Sequence, residues 1–121
     1  MNLFQSLINE WMETCFGYEI TKDKIERNYR FLEESLELVQ SNGCSKEDAH
    51  RLVEYVYGRP DGDTNQEVGG VMVILAALCN CNNILMEYEA FKELARIDTE
   101  EMIDKIRHKQ ASKKIKSGPL P

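Results

Sequence analysis

The segment IERNYRFLEESLELVQ, residues 25–40, decides the fold class. Ile25, Tyr29, Leu32, Leu36 and Val39 recur at steps of three and four, the spacing of one face of an α-helix. The same segment carries Glu33, Glu34 and Glu37. Residues three and four apart are neighbours on a helix, and like charges there repel. One helical patch therefore holds three negative charges that need either water or a cation.

Helical spacing continues in both directions from this segment, and no stretch alternates as a strand would. Toward the amino terminus, Leu3, Phe4, Leu7, Ile8, Trp11, Met12, Cys15 and Phe16 form a wide apolar stripe, with Gly17 as its stop. Thr21 is the expected cap of the second helix, and Asn42-Gly43 its end. Ser45 opens a third helix, with Glu47 and Asp48 in the first turn, Ala49, Leu52, Val53 and Val56 inward, and Gly58 at the end. GRPDGDTNQ, residues 58–66, is a loop. The run from about Gln66 to Asn80 is apolar almost all round, which predicts a central buried helix, terminated by Asn80, Asn82 and Asn83. A last helix is expected from about Met86 to Gln110, with Asp98-Thr99 as a candidate break. KSGPLP is not helical beyond Gly118, because of Pro119 and Pro121.

These elements predict an all-α bundle of about five helices. Residues 1–110 form one domain, and residues 111–121 form a basic, proline-containing tail. The broad stripe of the first helix exceeds what a small monomer covers, which predicts a homodimer or a higher homo-oligomer.

Charge and cysteine usage narrow the function classes. Residues 105–121 hold six of the 15 lysines and arginines and no acid, so nine bases face all 21 acids in the preceding body. An acidic body disfavours nucleic acid as the main partner. Cys79 and Cys81 stand one residue apart with no second pair, which is not zinc-site spacing. Free thiols in a reducing cytosol are the expectation, and the localisation expected is cytoplasmic. The amino-terminal segment carries Glu10 and Glu13 in its apolar pattern and lacks a basic start, unlike a secretion signal. The longest apolar stretch, VGGVMVILAALC, has 12 residues, too few to cross a bilayer, so no membrane partner is expected.

Glu67 is the single acid at the head of the apolar run Val68–Cys79. A buried carboxylate is costly unless it is paired or binds a metal. If the second and fourth helices pack together, Glu67 faces Glu34 and Glu37, and carboxylates converging in a bundle suit a hard cation such as magnesium. Arg30, four residues before Glu34, is the rival partner.

Glu33, Glu34 and Glu37 match EExxE, and Glu67 opens a second acidic element on a later apolar helix. In these motifs, and in EVGGVMVILAALC, the chain resembles the MazG-like all-α nucleoside triphosphate pyrophosphohydrolases, particularly small phage-encoded members. The resemblance spans about residues 25–110. It implies magnesium-dependent cleavage of a nucleoside or deoxynucleoside triphosphate to monophosphate and pyrophosphate. By position it implies Glu34, Glu37 and Glu67 as metal ligands, Glu33 and Glu37 as catalytic residues, and Lys105 and Arg107 as phosphate-binding residues. The second acidic element of the family reads ExxD, and its aspartate falls on Gly70 here. Water, Asp61 or Asp63 could fill that position. Otherwise the chain holds a nucleotide without turning it over, as a phage protein sequestering a host defence signal would. A third reading is a helical protein-interaction module with its acidic patch solvated.

Overall fold

Asn2, Ser45, Asp63 and Thr99 each stop the chain from starting a helix at random and fix where one begins. Each side chain accepts a hydrogen bond from the backbone N–H three residues on, at Gln5, Asp48, Gln66 and Met102. The computed structural model describes residues 1–115. It contains six helices and no strand among the described residues: α1 Leu3–Lys22, α2 Lys24–Ser41, α3 Lys46–Tyr57, α4 Thr64–Cys81, α5 Met86–Ile97 and α6 Glu100–Ile115. The fold class is all-α, as the periodicity predicts. The sixth helix arises because Asp98-Thr99 does break the last segment, with Thr99 capping α6. KSGPLP and its expected end of helicity lie outside the described residues.

Several expected boundaries move: α4 starts at Thr64, inside the expected loop, and α6 runs to Ile115, past the expected end at about Gln110 and into the expected tail. Gly17 does interrupt the first helix, at φ 79°, ψ 171°, but a helical stretch resumes beyond the kink and runs to Lys22, so Gly17 is not the end of α1. A positive φ is open to glycine without steric cost, so the chain can bend there and resume. Thr21 is not a cap either: its hydroxyl donates to the Gly17 carbonyl at 2.8 Å. Asp23 takes the capping role, its Oδ1 accepting from the N–H groups of Ile25 and Glu26. The expected stops at Asn42-Gly43 and Gly58 hold. Gly43, at φ 95°, lets the Cys44 N–H return to the Val39 carbonyl at 2.9 Å. Asn83, at φ 57°, closes α4 in the same way, with the Ile84 N–H on the Cys79 carbonyl at 2.9 Å.

The chain divides into two compact units. One comprises Met1–Leu32 and the chain from Glu87 onward; the other is Glu33–Met86. In the first unit α1 packs along α6, and Met12, Cys15 and Leu94 are buried. The Trp11 indole N–H donates to the carbonyl of Ile97, the last residue of α5, at 3.1 Å. A terminal helix carbonyl has no partner inside its own helix, so this long-range bond satisfies an otherwise orphaned acceptor. Phe4 meets Phe91 edge-on with ring centroids 5.2 Å apart, and Trp11 meets Phe16 at 6.1 Å. The Arg27 guanidinium lies 5.6 Å from the Phe16 centroid, and its loss of water pulls its pKa down.

Cys15 supplies a pH test of this core. Burial pushes its thiol pKa up; Arg107 opposes the shift and Asp98 adds to it. The unfolded chain releases this proton first as pH rises. The contribution is therefore complete below the ordinary thiol range, about 8.5, and declines as pH climbs through the raised folded pKa. Urea midpoints measured from pH 7 to pH 10 are expected to fall less steeply for Cys15→Ala than for the unaltered chain.

The second unit differs from the sequence expectation. Only Cys79 is buried there, and every residue from Thr64 to Ile74 is exposed. Val68, Met72, Val73 and Ile74 are between 54% and 68% exposed, so α4 is not a buried helix among the described residues of its unit. Leu52, Val53 and Val56 of α3, expected inward, are also about half exposed. The physical reason is the shortage of cover: an all-round apolar helix needs neighbours on every side. By contrast, the α1 stripe, expected to outrun its cover, is largely covered from Phe4 to Phe16.

Candidate functional site

The carboxylates singled out by the motifs all belong to the second unit. Glu33, Glu34 and Glu37 stand on α2, with Glu33 half-buried and Glu34 and Glu37 exposed. Arg30, the rival partner, has its Nε 3.2 Å from Oε1 of Glu26 one turn earlier.

Glu67 is not a buried carboxylate. It is exposed in the first turn of α4, where the positive end of the helix dipole favours an acid. The turn is built by Asp63, whose Oδ2 accepts from Gln66 N–H at 3.0 Å while its carbonyl accepts from Glu67 N–H at 2.9 Å. The Glu67 side chain folds back over the preceding loop. A Cβ added to Gly62 would lie 2.6 Å from Glu67 Oε1. Gly62 thus leaves the space that this carboxylate occupies. Gly62→Ala is expected to displace the carboxylate, a flexible group, and to change stability by no more than about 1 kcal/mol in urea unfolding. A larger loss would mean that the Glu67 carboxylate is rigidly held.

Among the described residues, no group of three or more His, Cys, Asp or Glu side chains stands close enough to hold a metal ion. The structure therefore does not gather Glu34, Glu37 and Glu67 into one such set. The donor chemistry still fits magnesium. This ion takes oxygen ligands, keeps several waters, and is commonly held by one or two carboxylates together with substrate phosphates. Glu34 and Glu37, three residues apart on α2, are a pair of that kind.

Lys105 and Arg107, expected at phosphate groups, lie on α6 in the first unit. Lys105 Nζ is 3.5 Å from Glu101 Oε1 one turn earlier. Arg107 donates from Nε to the Thr14 carbonyl at 3.2 Å, and from Nη2 to the same oxygen. Thr14 lies in the last turn before the Gly17 kink, where carbonyls lose their intrahelical donors. Arg107 thus clamps α6 to the bend in α1. Sequence reasoning missed this clamp and the Trp11–Ile97 bond. It also missed the Asp63 cap, although Asp63 followed by Gln66 three residues later is a legible capping signal.

Compared with models of known protein families, with curated proteins and with solved structures, the chain matches none. No single helix among the described residues is long and apolar enough to cross a membrane.

Proposed function

We propose that the chain is a magnesium-dependent nucleoside triphosphate pyrophosphohydrolase, converting a nucleoside or deoxynucleoside triphosphate to monophosphate and pyrophosphate. The observation that carries this reading is the placement of EExxE on α2, with Glu34 and Glu37 exposed side by side and Glu33 half-covered beside them. The fit of that carboxylate pair to magnesium, and the motif resemblance to MazG-like enzymes, support it. Glu34 and Glu37 would hold the ion, which would supply charge neutralisation for the triphosphate and a more acidic bound water. Glu33 orients the attacking water toward the α-phosphorus and accepts its proton. Glu67, at the head of α4, adds a further carboxylate on the same unit.

Gly70, where the family places an aspartate, favours a second reading. In that reading the same pair binds a nucleotide and magnesium but leaves the nucleotide intact, as a sequestering protein does.

Thermal unfolding with and without magnesium and each triphosphate tests the binding that both readings share. A ligand at 100 times its dissociation constant adds about 2.7 kcal/mol of stability. The proposal expects a magnesium-dependent rise in melting temperature with at least one nucleotide. An unchanged melting temperature across the whole panel would count against both readings.

A further inference from the structure

We infer that α1 is a two-position helix, bent or straight at Gly17, and that Arg107 of α6 latches the bent position. In a straight α-helix the Thr14 carbonyl accepts from the N–H four residues on, that of Tyr18. Gly17, at φ 79°, ψ 171°, turns that N–H away from it. Arg107 takes its place, donating from Nε to the Thr14 carbonyl at 3.2 Å and from Nη2 to the same oxygen. One acceptor therefore has two donors that exclude each other. A bond from Tyr18 N–H goes with a straight α1, and the bond from Arg107 goes with the bend.

The two positions are close in free energy because each satisfies the same carbonyl. Glycine visits positive and negative φ at similar cost, so Gly17 allows both. Arg107 is an exposed residue, so water receives its guanidinium when the latch opens. Two hydroxyls favour the bend. Thr14 donates to the Glu10 carbonyl at 2.9 Å and Thr21 to the Gly17 carbonyl at 2.8 Å, a back-bonding that bends helices. The intrahelical bonds regained on straightening favour the other position. Cys15, next to Thr14, is buried in the bent position. Straightening redirects Tyr18–Lys22 and the start of α2, which follows at Lys24. The latch and the bend both lie in the first unit, and neither depends on the nucleotide reading.

Amide hydrogen exchange of the full chain, followed residue by residue by NMR, tests this at Tyr18. Arg107→Met keeps the aliphatic stem and removes the donors. The expected result is exchange at Tyr18 slowed at least about tenfold, because its N–H recovers the Thr14 carbonyl. A merely structural clamp gives the opposite sign, since its loss speeds exchange along α1. Gly17→Ala reaches the same state with Arg107 left in place. A Cβ at Gly17 meets no other atom within 4 Å among the described residues, so this substitution acts through φ, and alanine disfavours the positive φ of the bend. It too is expected to slow exchange at Tyr18. Unchanged or faster exchange at Tyr18 in a folded Arg107→Met chain would remove Arg107 as the latch. If that variant unfolds the unit, Gly17→Ala decides alone. Exchange at Tyr18 that is unchanged or faster in Gly17→Ala, including a loss of protection throughout α1, would overturn the two-position helix.

Discussion

Glu37→Gln is expected to lower magnesium-dependent turnover of a nucleoside triphosphate at least about 100-fold while leaving the melting temperature almost unchanged. Removing a charge-stabilising group from a reaction of this type costs on the order of 3–4 kcal/mol in the barrier, or two to three powers of ten in rate. Glu37 is exposed on α2, and surface substitutions away from packing or caps change stability by about 0.5 kcal/mol or less. The glutamine keeps the shape of the side chain and removes only the charge. Loss of activity together with loss of structure would point to a folding role, and retained activity would remove Glu37 from the site. Steady-state kinetics alongside a thermal melt reads both quantities from one preparation.

Trp11→Ala is expected to destabilise the first unit by about 3 kcal/mol, the lower end of the range for a large aromatic, because Trp11 is only partly buried. Two losses combine. The ring leaves its edge contact with Phe16, and the Ile97 carbonyl loses its donor. Trp11→Phe separates them: it keeps an aromatic ring and removes the N–H, and should cost about 1 kcal/mol. Urea denaturation followed by circular dichroism measures both variants. Equal costs for the two would mean that the indole hydrogen bond, not the ring packing, holds α1 to the end of α5.

The features legible in the sequence are those written in local chemistry. Ser45 with Asp48, Gly43 after Asn42, Gly58 and Asp98-Thr99 each mark a helix end through a cap or a turn that involves residues only a few positions apart. The Gly17 kink was half-legible: the glycine signalled a break, but no cap or turn signal marks that a helix resumes at once and runs to Lys22. The contacts that hold the first unit together were not legible. Trp11 bonds to a carbonyl 86 positions away, and Arg107 to one 93 positions away, and neither backbone acceptor leaves a trace in side-chain pattern. Arg107 was expected at a phosphate only because the family resemblance implies one, and an arginine on a terminal helix carries no sign in sequence of which acceptor it serves.

The candidate site was legible as residue types rather than as geometry. EExxE places three carboxylates on one helix from spacing alone. The burial assigned to Glu67 and to α4 failed for one shared reason. Apolar composition tells how much a helix gains from cover, and it does not tell whether the cover comes from its own chain. That ambiguity is most visible at Gly69 and Gly70, where an added Cβ would meet nothing within 4 Å among the described residues.

The most direct test of the proposed activity is chromatography of products after the chain is incubated with magnesium and a panel of ribo- and deoxynucleoside triphosphates, with Glu37→Gln in parallel. The account predicts monophosphate and pyrophosphate in equal amounts from the unaltered chain and intact triphosphate from the variant. Triphosphates recovered unchanged from both, or diphosphate with inorganic phosphate, would contradict it.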